Sequence, residues 1–475
     1  MRAKIHELII SRIKQVLIYG VDHLLVKTEE SQPRALLTDL YELTMNAAYI
    51  DNGKADEIAT FEMFIRSLQP DWGYFIAVGV EEAVDYACNL RFTDDDIMYL
   101  QGLGLFNDEY FDYLRHFRFE GEIKSIREGT PFTAGSPVLT VTAKRPQAQL
   151  LETSLLNIIN FQTLIASKAS RVVNAANGAK VVDFGLRRAQ GFDAGMKGAR
   201  ATYIAGVVAT SNVEAAKIYG IPPSGTMSHS FVMGFPEEIE SFRAYSHTFP
   251  RDSTLLIDTY DTLDGARRAI VVAKEMEKLG RRLSAVRLDS GNMEGLAKRV
   301  RNILDEAGFS YVKIVLSSDL NEYKIDEYRR DGVPVDFYGV GTEMITAKPV
   351  ASLPGVYKLV EDNYGPRIKL SEGKLTYPGR KQVYRVEGSK GEYVHDVLEL
   401  EGEPVSGIPL LKPVVKHGKR IHGELSLSEI RDYCLDCVAR LPERVKRVKV
   451  IEPYELRVSQ KLNTLKDDLR RQYSN

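Results

Sequence analysis

Six knots of polar residues, each closing a short apolar run, decide how this chain folds. They are Asp183-Phe184-Gly185-Leu186-Arg187, Gly225-Thr226-Met227-Ser228-His229-Ser230, Asp258-Thr259-Tyr260-Asp261, Arg287-Leu288-Asp289-Ser290-Gly291, Ser317-Ser318-Asp319 and Gly339-Val340-Gly341-Thr342. Helical stretches separate them, and most intervals are roughly 25–30 residues, the length of one strand-and-helix unit. The pattern predicts an irregular TIM-like α/β barrel with six distinct strands, at 181–184, 226–232, 254–257, 285–288, 312–316 and 335–338. In a parallel barrel every strand points the same way, so residues at the C-terminal strand ends converge on one mouth, where such barrels do their chemistry. A basic group, an imidazole, several carboxylates and a Gly-rich turn thereby come together from distant segments. That combination points to an enzyme that handles phosphate.

On either side of the barrel (146–354) the pattern changes. Residues 34–145 read as an α+β domain: helical segments at 39–52, 79–89, 94–102 and 108–115 surround extended runs at 60–65, 121–126 and 137–142. Gly129, Pro131, Gly135 and Pro137 punctuate the last of these. A long helix follows, in which Leu151, Leu155, Ile158, Ile159, Gln162 and Ile165 keep close to a helical period. Beyond the barrel, 355–475 returns to hairpin strands (355–360, 367–370, 382–385) and a helix at 427–440, and is expected to pack back on the N-terminal domain. Residues 1–33 form a detachable extension. Ile5, Leu8, Ile9, Ile13, Val16 and Leu17 recur at helical spacing there, which suits a surface helix or an upstream start codon better than membrane association.

Composition narrows the class without naming a reaction. A chain of 475 residues can bury a large core and should divide into two or more domains. With Lys+Arg 63 against Asp+Glu 65 the net charge is -2, which implies no general affinity for nucleic acid or anionic membrane. Three cysteines argue against a disulfide framework and fit a reducing cytoplasm. No apolar run approaches the ~20 residues that span a bilayer, and Glu7, Lys14, Asp22 and His23 interrupt any signal-peptide core. The expectation is a cytoplasmic enzyme.

The individual residues can be weighed on their chemistry. Gly339-Val340-Gly341-Thr342 offers backbone N–H groups and a hydroxyl to a phosphate, although a lone turn of this kind is often only a turn. A histidine beside Ser and Met is commonly a packed core residue. His229 at a strand end could instead attack the γ-phosphate of ATP if a carboxylate orients its ring. Arg287 and Asp289, two apart on one strand, share a face, as a structural ion pair would also require. Phe184 can stack on an aromatic ring or simply fill core, and Arg187 can grip a phosphate or carboxylate bidentately. Tyr41 lies in a helix start capped by Thr38 or Asp39. Lys168, Arg171, Lys358 and Lys381 are weaker phosphate candidates. Cys434 and Cys437 follow His417 and His422 at a spacing that suggests zinc. They also share an amphipathic helix with Ile430, Leu435, Val438 and Leu441, where Cys packs as a small apolar residue, so no metal held by protein ligands alone is expected.

Taken together the motifs resemble one family. Thr38-Asp39-Leu40-Tyr41-Glu42-Leu43-Thr44-Met45, Phe184-Gly185-Leu186-Arg187-Arg188-Ala189-Gln190-Gly191, the histidine knot, the Arg287 knot, the Gly339 knot and Lys374-Leu375-Thr376-Tyr377-Pro378-Gly379-Arg380-Lys381-Gln382-Val383 stand in the order found in nicotinate phosphoribosyltransferases. The resemblance runs from Leu36 to about Tyr454. It implies joining of nicotinate to phosphoribosyl pyrophosphate, giving nicotinate mononucleotide and pyrophosphate, with ATP as co-substrate and Mg2+ as cofactor. It implies a phosphorylated His229 with Asp258 as its partner, Asp289 accepting from a ribose hydroxyl and Arg287 contacting a carboxylate or phosphate. Phe184, Arg187, Thr226, Asp319, Gly339, Gly341 and Thr342 would be further substrate contacts. It also implies a homodimer with shared sites, in which Tyr41 covers the pyridine ring of the neighbouring subunit. Nicotinamide phosphoribosyltransferases share several motifs, but Arg187-Arg188 and Thr226 fit the acid-utilising branch. Quinolinate phosphoribosyltransferases are shorter and lack the histidine motif. A catalytically silent binding protein on the same scaffold is the remaining alternative, and the filled motif positions argue against it.

Overall fold

The computed structural model describes residues 34–371 and 376–474. The helix expected near the N-terminus, and Lys374 and Leu375 of the last motif, lie outside the described residues. The centre of the fold is a curled sheet of six parallel strands. Their order across the sheet is Ala209–Thr210, Lys180–Asp183, Phe337–Val340, Lys313–Ser317, Ala285–Leu288 and Thr254–Leu256. Among the described residues the two edge strands do not pair with each other, so the sheet is a half-barrel rather than a closed one. Its strands are apolar runs because helices cover them; Val286, Leu288, Ile314, Leu316 and Val340 are fully buried.

One expected strand fails here. Residues 226–232 are not a strand: a loop leads into the short helix His229–Met233. The sixth strand is instead Ala209–Thr210, only two residues long. A run such as Phe231-Val232-Met233 carries no period that separates strand from helix, and a two-residue strand leaves no alternation to read. The other barrel strands begin or end within two residues of their expected bounds.

The flanking domain is built from both ends of the chain. A seven-stranded antiparallel sheet runs in the order Gly365–Pro366, Gly355–Asp362, Ile58–Ile65, Pro137–Lys144, Glu122–Ser125, Lys412–Lys416 and Lys419–Arg420. Ile58–Ile65 pairs with Gly355–Asp362 on one side and Pro137–Lys144 on the other, so the C-terminal part shares a sheet with the N-terminal one. The expected strand at 367–370 is not formed; the hairpin partner is Gly365–Pro366. A four-stranded sheet (Ile408–Pro409, Lys381–Glu387, Tyr393–Leu400, Leu456–Val458) completes this half.

The long helix Glu152–Ala176 joins the two halves. Its apolar residues Leu155, Ile159, Ile165 and Val172 are buried, as are the small polar residues that line another face. Ser167 accepts from the Ile76 amide at 2.8 Å, Thr163 from the Val78 amide at 3.2 Å, and Ser170 meets the Tyr74 hydroxyl at 2.8 Å. Such side chains satisfy backbone groups that a wholly apolar helix would bury unpaired. The helix stops at Asn177 in the left-handed region (φ 42°), and Gly178 follows at φ 105°. Among the described residues no helix is long and apolar enough to cross a membrane.

Candidate active site

All six parallel strands end on the same side, and the side chains just beyond them form one connected set of contacts. At the Lys180–Asp183 end, Asp183 is buried; its carboxylate accepts from Thr210 Oγ1 at 2.7 Å and from the Gly185 amide at 2.8 Å. Burial pushes this carboxyl up, and the Thr210 hydrogen bond opposes the shift. The two bonds fix the turn that carries Phe184 and Arg187. Gly339 then decides where the Phe184 ring lies: a Cβ there would sit 2.4 Å from Phe184 Cε2. The next glycine, Gly341, sits below the Phe184 carbonyl, where a Cβ would approach the oxygen to 3.0 Å. The Gly-x-Gly spacing is thus explained by an aromatic ring against the strand end. Arg187 is exposed in the turn Leu186–Arg188.

On the other half of the mouth the focus is Asp289. One oxygen accepts from Ser317 Oγ, and the other lies 3.8 Å from His229 Nε2. His229 Nδ1 meets Thr259 Oγ1 at 3.1 Å. The imidazole is therefore hydrogen-bonded to Thr259 and faces the Asp289 carboxylate. Asp258, expected as its partner, is turned elsewhere: its Oδ2 accepts from the Asp289 amide at 2.8 Å and from Ser290 Oγ at 2.6 Å. Its other oxygen is buried without a hydrogen-bond partner. Asp258 follows a strand whose side chains alternate, and one step of alternation separates it from Thr259. The carboxylate therefore braces the Arg287–Gly291 turn and the hydroxyl takes the ring.

Arg287 donates to Thr226 Oγ1, joining the loop before His229 to the Ala285–Leu288 strand, and its Nε is buried with no partner. Burial pulls the Arg287 guanidinium down, Asp289 and Asp258 resist, and the positive charge of Arg187 adds to the pull. Arg187 and Arg287 thus act on the same space. Two cations facing one region, with an unsatisfied N–H, suit an anion. Ser318 and Asp319 both adopt the left-handed region, at φ 86° and 42°. Consecutive non-glycine residues in that region carry strain. They leave Asp319 exposed at the rim. Thr342 opens the short helix Thr342–Ile345 after Gly341.

Other expected contacts are not at this mouth. Lys168 is buried against Glu322 and donates to the Lys348 carbonyl at 2.8 Å, and Arg171 binds the same Glu322 at 3.1 Å. Lys381 is buried against Glu62 at 2.9 Å, and Lys358 donates to its neighbour's carbonyl beside Glu152. Each of the four has a carboxylate partner within the chain, and Lys168, Arg171 and Lys381 are buried with theirs. Cys434 and Cys437 are buried in the helix Leu427–Ala439, where burial pushes the Cys434 thiol up and Cys437 Sγ lies 3.4 Å from the Tyr393 hydroxyl. Tyr41 is exposed on the helix Leu40–Asp51 of the flanking domain. Among the described residues no hydrogen bond or ion pair joins it to Phe184, Arg187 or His229 within the chain. Thr210, Thr259, Ser290 and Ser317 went unassigned in the sequence, although Thr259, Ser290 and Ser317 stand inside the quoted knots. Spacing locates a knot, but only the twist of the strands decides which of its side chains turn inward.

Comparison with known proteins covers most of the chain. Residues 36–160 match the family model for the nicotinate phosphoribosyltransferase N-terminal domain, 179–352 that for the nicotinate phosphoribosyltransferase family, and 404–466 that for its C-terminal domain. A nicotinate phosphoribosyltransferase of Mycobacterium tuberculosis is 43% identical over 418 residues, spanning 87% of this chain and 89% of that protein. One from Bacillus subtilis is 38% identical over 459 residues, spanning 90% and 93%. The crystal structure of human nicotinic acid phosphoribosyltransferase superposes with a TM-score of 0.81 at 28% identity, covering 91% of this chain and 99% of that one.

Proposed function

The chain belongs to the nicotinate phosphoribosyltransferase family, and from that premise we propose that it transfers the phosphoribosyl group of phosphoribosyl pyrophosphate to nicotinate, driven by ATP through a phosphorylated His229. The observation that carries the ATP step is the imidazole held between Thr259 Oγ1 and the Asp289 carboxylate. With a proton on Nδ1 donated to Thr259, Nε2 keeps its lone pair. That nitrogen attacks the γ-phosphorus, the bond to the β-phosphate oxygen breaks, and ADP leaves with the electron pair. Asp289 steadies the positive charge that the ring acquires. Hydrolysis of the phosphohistidine returns the ring and releases phosphate.

In the transfer step the pyridine nitrogen forms a bond to the ribose anomeric carbon as the C–O bond to pyrophosphate breaks. Pyrophosphate takes the bonding pair, and positive charge develops on the sugar. Asp289 and the rim carboxylate Asp319 suit that charge and the ribose hydroxyls, and the backbone at Gly341 and Thr342 suits a phosphate. Arg187 and Arg287 are the groups to read the nicotinate carboxylate, with Phe184 against the ring. Mg2+ fits this donor set as an ion that arrives on the substrate phosphates. The buried, unpartnered Asp258 oxygen and Asp289 are hard oxygen donors. No cluster of three or more metal-ligating side chains exists among the described residues. When bound, the ion would neutralise charge on the leaving pyrophosphate.

The test is a direct one. Incubated with Mg-ATP, the protein should form an acid-labile, base-stable phosphoryl adduct that maps to His229. His229→Ala should lose the ATPase and the ATP stimulation while retaining slow, ATP-independent transfer to nicotinate. Nicotinate and nicotinamide assayed side by side should show transfer to the acid. ATP-stimulated turnover by His229→Ala would refute the phosphohistidine, and equal use of the amide would refute the substrate assignment.

A further inference from the structure

A cleft of about 990 Å³ opens between the end of the long helix, the helix Glu322–Arg330 and the segment 443–449. It lies at the opposite end of the half-barrel from the mouth. Asn177, in its floor, precedes the start of strand Lys180–Asp183, and Arg329 and Arg330 stand on the helix end that leads to the start of Phe337–Val340. Five cations line it: Arg329 and Arg330 on one wall, and Lys446, Arg447 and Lys449 on the other. Three carboxylates line it too. Asp326 is shared by Arg329 at 2.8 Å and Arg330 at 3.1 Å, and Glu443 pairs with Lys446. Arg447 and Lys449 have no carboxylate partner among the described residues. On the wall of Arg329 and Arg330 the carboxylates Asp326 and Glu327 balance the two guanidinium charges, so the surplus of two positive charges (five against three) lies on the wall of Lys446, Arg447 and Lys449, on a chain whose net charge is -2.

Both walls are anchored to one buried guanidinium. Arg171 Nη2 donates to the Val448 carbonyl at 2.8 Å, its Nη1 to the Asp71 carbonyl, and its Nε to Glu322 Oε1 at 3.1 Å. The two walls are thus tied to each other before any ligand arrives, which removes part of the ordering cost of binding. Arg447 and Lys449, unpaired on one wall, face the guanidinium donors of Arg329 and Arg330, which share one carboxylate, and this spread of donors across the cleft matches an extended chain of phosphates better than a single small anion.

We propose that this cleft is a second anion site, distinct from the catalytic mouth, that binds a polyphosphate chain, free or as part of a nucleotide. It also has a route to the mouth. The helix that presents Arg329 and Arg330 starts just after Asp319 and Leu320, at the catalytic end of its strand.

Sodium tripolyphosphate is the probe, titrated calorimetrically at low ionic strength, where such attraction is least screened. The wild type should show two classes of site. Arg447→Ala/Lys449→Ala should weaken one class by about tenfold or more while transfer in the absence of polyphosphate continues at the wild-type rate. Arg287→Ala, altered at the mouth, should keep that class. Trp72, the single tryptophan, lies buried with its ring 5.7 Å from the Arg171 guanidinium, so occupancy of the cleft in Arg287→Ala should change its emission. ATP used in place of tripolyphosphate tells a nucleotide from a bare chain in the class of site that Arg447→Ala/Lys449→Ala weakens: tighter binding to that class assigns a nucleotide, equal binding the phosphates alone. An unchanged isotherm in Arg447→Ala/Lys449→Ala would overturn the site, as would a single class of binding that Arg287→Ala abolishes.

Discussion

Asp289 touches three segments at once. Its carboxylate serves Ser317 and His229, its amide serves Asp258, and its strand neighbour Arg287 serves Thr226. Ser317 and Asp258 come from two different strand ends, and Thr226 and His229 from the loop before the helix His229–Met233 and its first position, so the residue ties the mouth together as well as facing its contents. A second carboxylate, Glu42, is fully buried beside Tyr41 and bonded to the Gln149 amide at 3.0 Å, with one oxygen unpartnered. Burial pushes it up to about 7, with Glu152 and Asp39 adding to the rise and the Gln149 and Tyr41 hydrogen bonds opposing it. Unfolded, it would titrate near 4.5. Between those values the folded chain holds a proton that the unfolded chain has released. Stability from this group is therefore full below the lower value, falls as pH rises through the window, and stays reduced above it. Glu42→Gln removes the titration while keeping the shape. We expect it to raise unfolding free energy by on the order of 2 kcal/mol above about pH 7 and to change little near pH 4.5. Urea unfolding at the two pH values checks this; a variant that tracks the wild type at both would show that Glu42 is ionised in the fold.

At the scale of elements, separate pieces are locked by carboxylates placed at distant backbone. Glu128, buried in the flanking domain, accepts from the amides of Gly79 and Glu81 at 2.9 Å each, capping the helix Val80–Asn89 from outside it. The same carboxylate takes Arg200 of the barrel helix Phe192–Ile204 at 2.6 Å. A negative group at a helix N-terminus is favourable, and here it also joins the two halves of the molecule. Glu128→Ala would leave two amides and a largely buried guanidinium unpaired. It should cost about 3 kcal/mol in denaturant unfolding, more than Glu128→Gln, which can still accept one backbone bond. A loss below that of the Gln variant would mean that Arg200 finds another partner. No local signal announces this cap, because Gly79 at φ 93° offers no side chain and its partner lies 49 residues away. Caps written locally are easier to read, as with Thr93 and Asp96, which form a capping box at the start of Asp94–Gly102.

For the whole molecule, the distance between Tyr41 and the mouth matters most. Tyr41 stands on the flanking domain and, among the described residues, has no bond to Phe184, Arg187 or His229 of its own chain; its phenol is pushed up by burial and by the nearby charges of Glu152 and Glu42. A two-fold dimer in which Tyr41 completes the partner's site predicts complementation. Tyr41→Ala and His229→Ala, each inactive in ATP-driven turnover, should on subunit exchange yield about half mixed dimers and roughly a quarter of wild-type activity, since each mixed dimer has one intact site. A mixture as inactive as its parents, with exchange demonstrated by mass, would place Tyr41 in its own chain's chemistry. The sequence determined that the barrel is parallel, which knots gather at its mouth and which family the chain joins. Those properties follow from periodicity and from residue types at strand ends, and both are local. Tertiary structure decided that Thr259 and Asp289, rather than Asp258, hold His229, that Ala209–Thr210 and not the histidine loop supplies the sixth strand, and that Lys168, Arg171 and Lys381 are bound to buried carboxylates. Each of those depends on the direction in which a side chain points and on a partner up to hundreds of residues away, and both are set by strand twist and by packing between the halves of the chain.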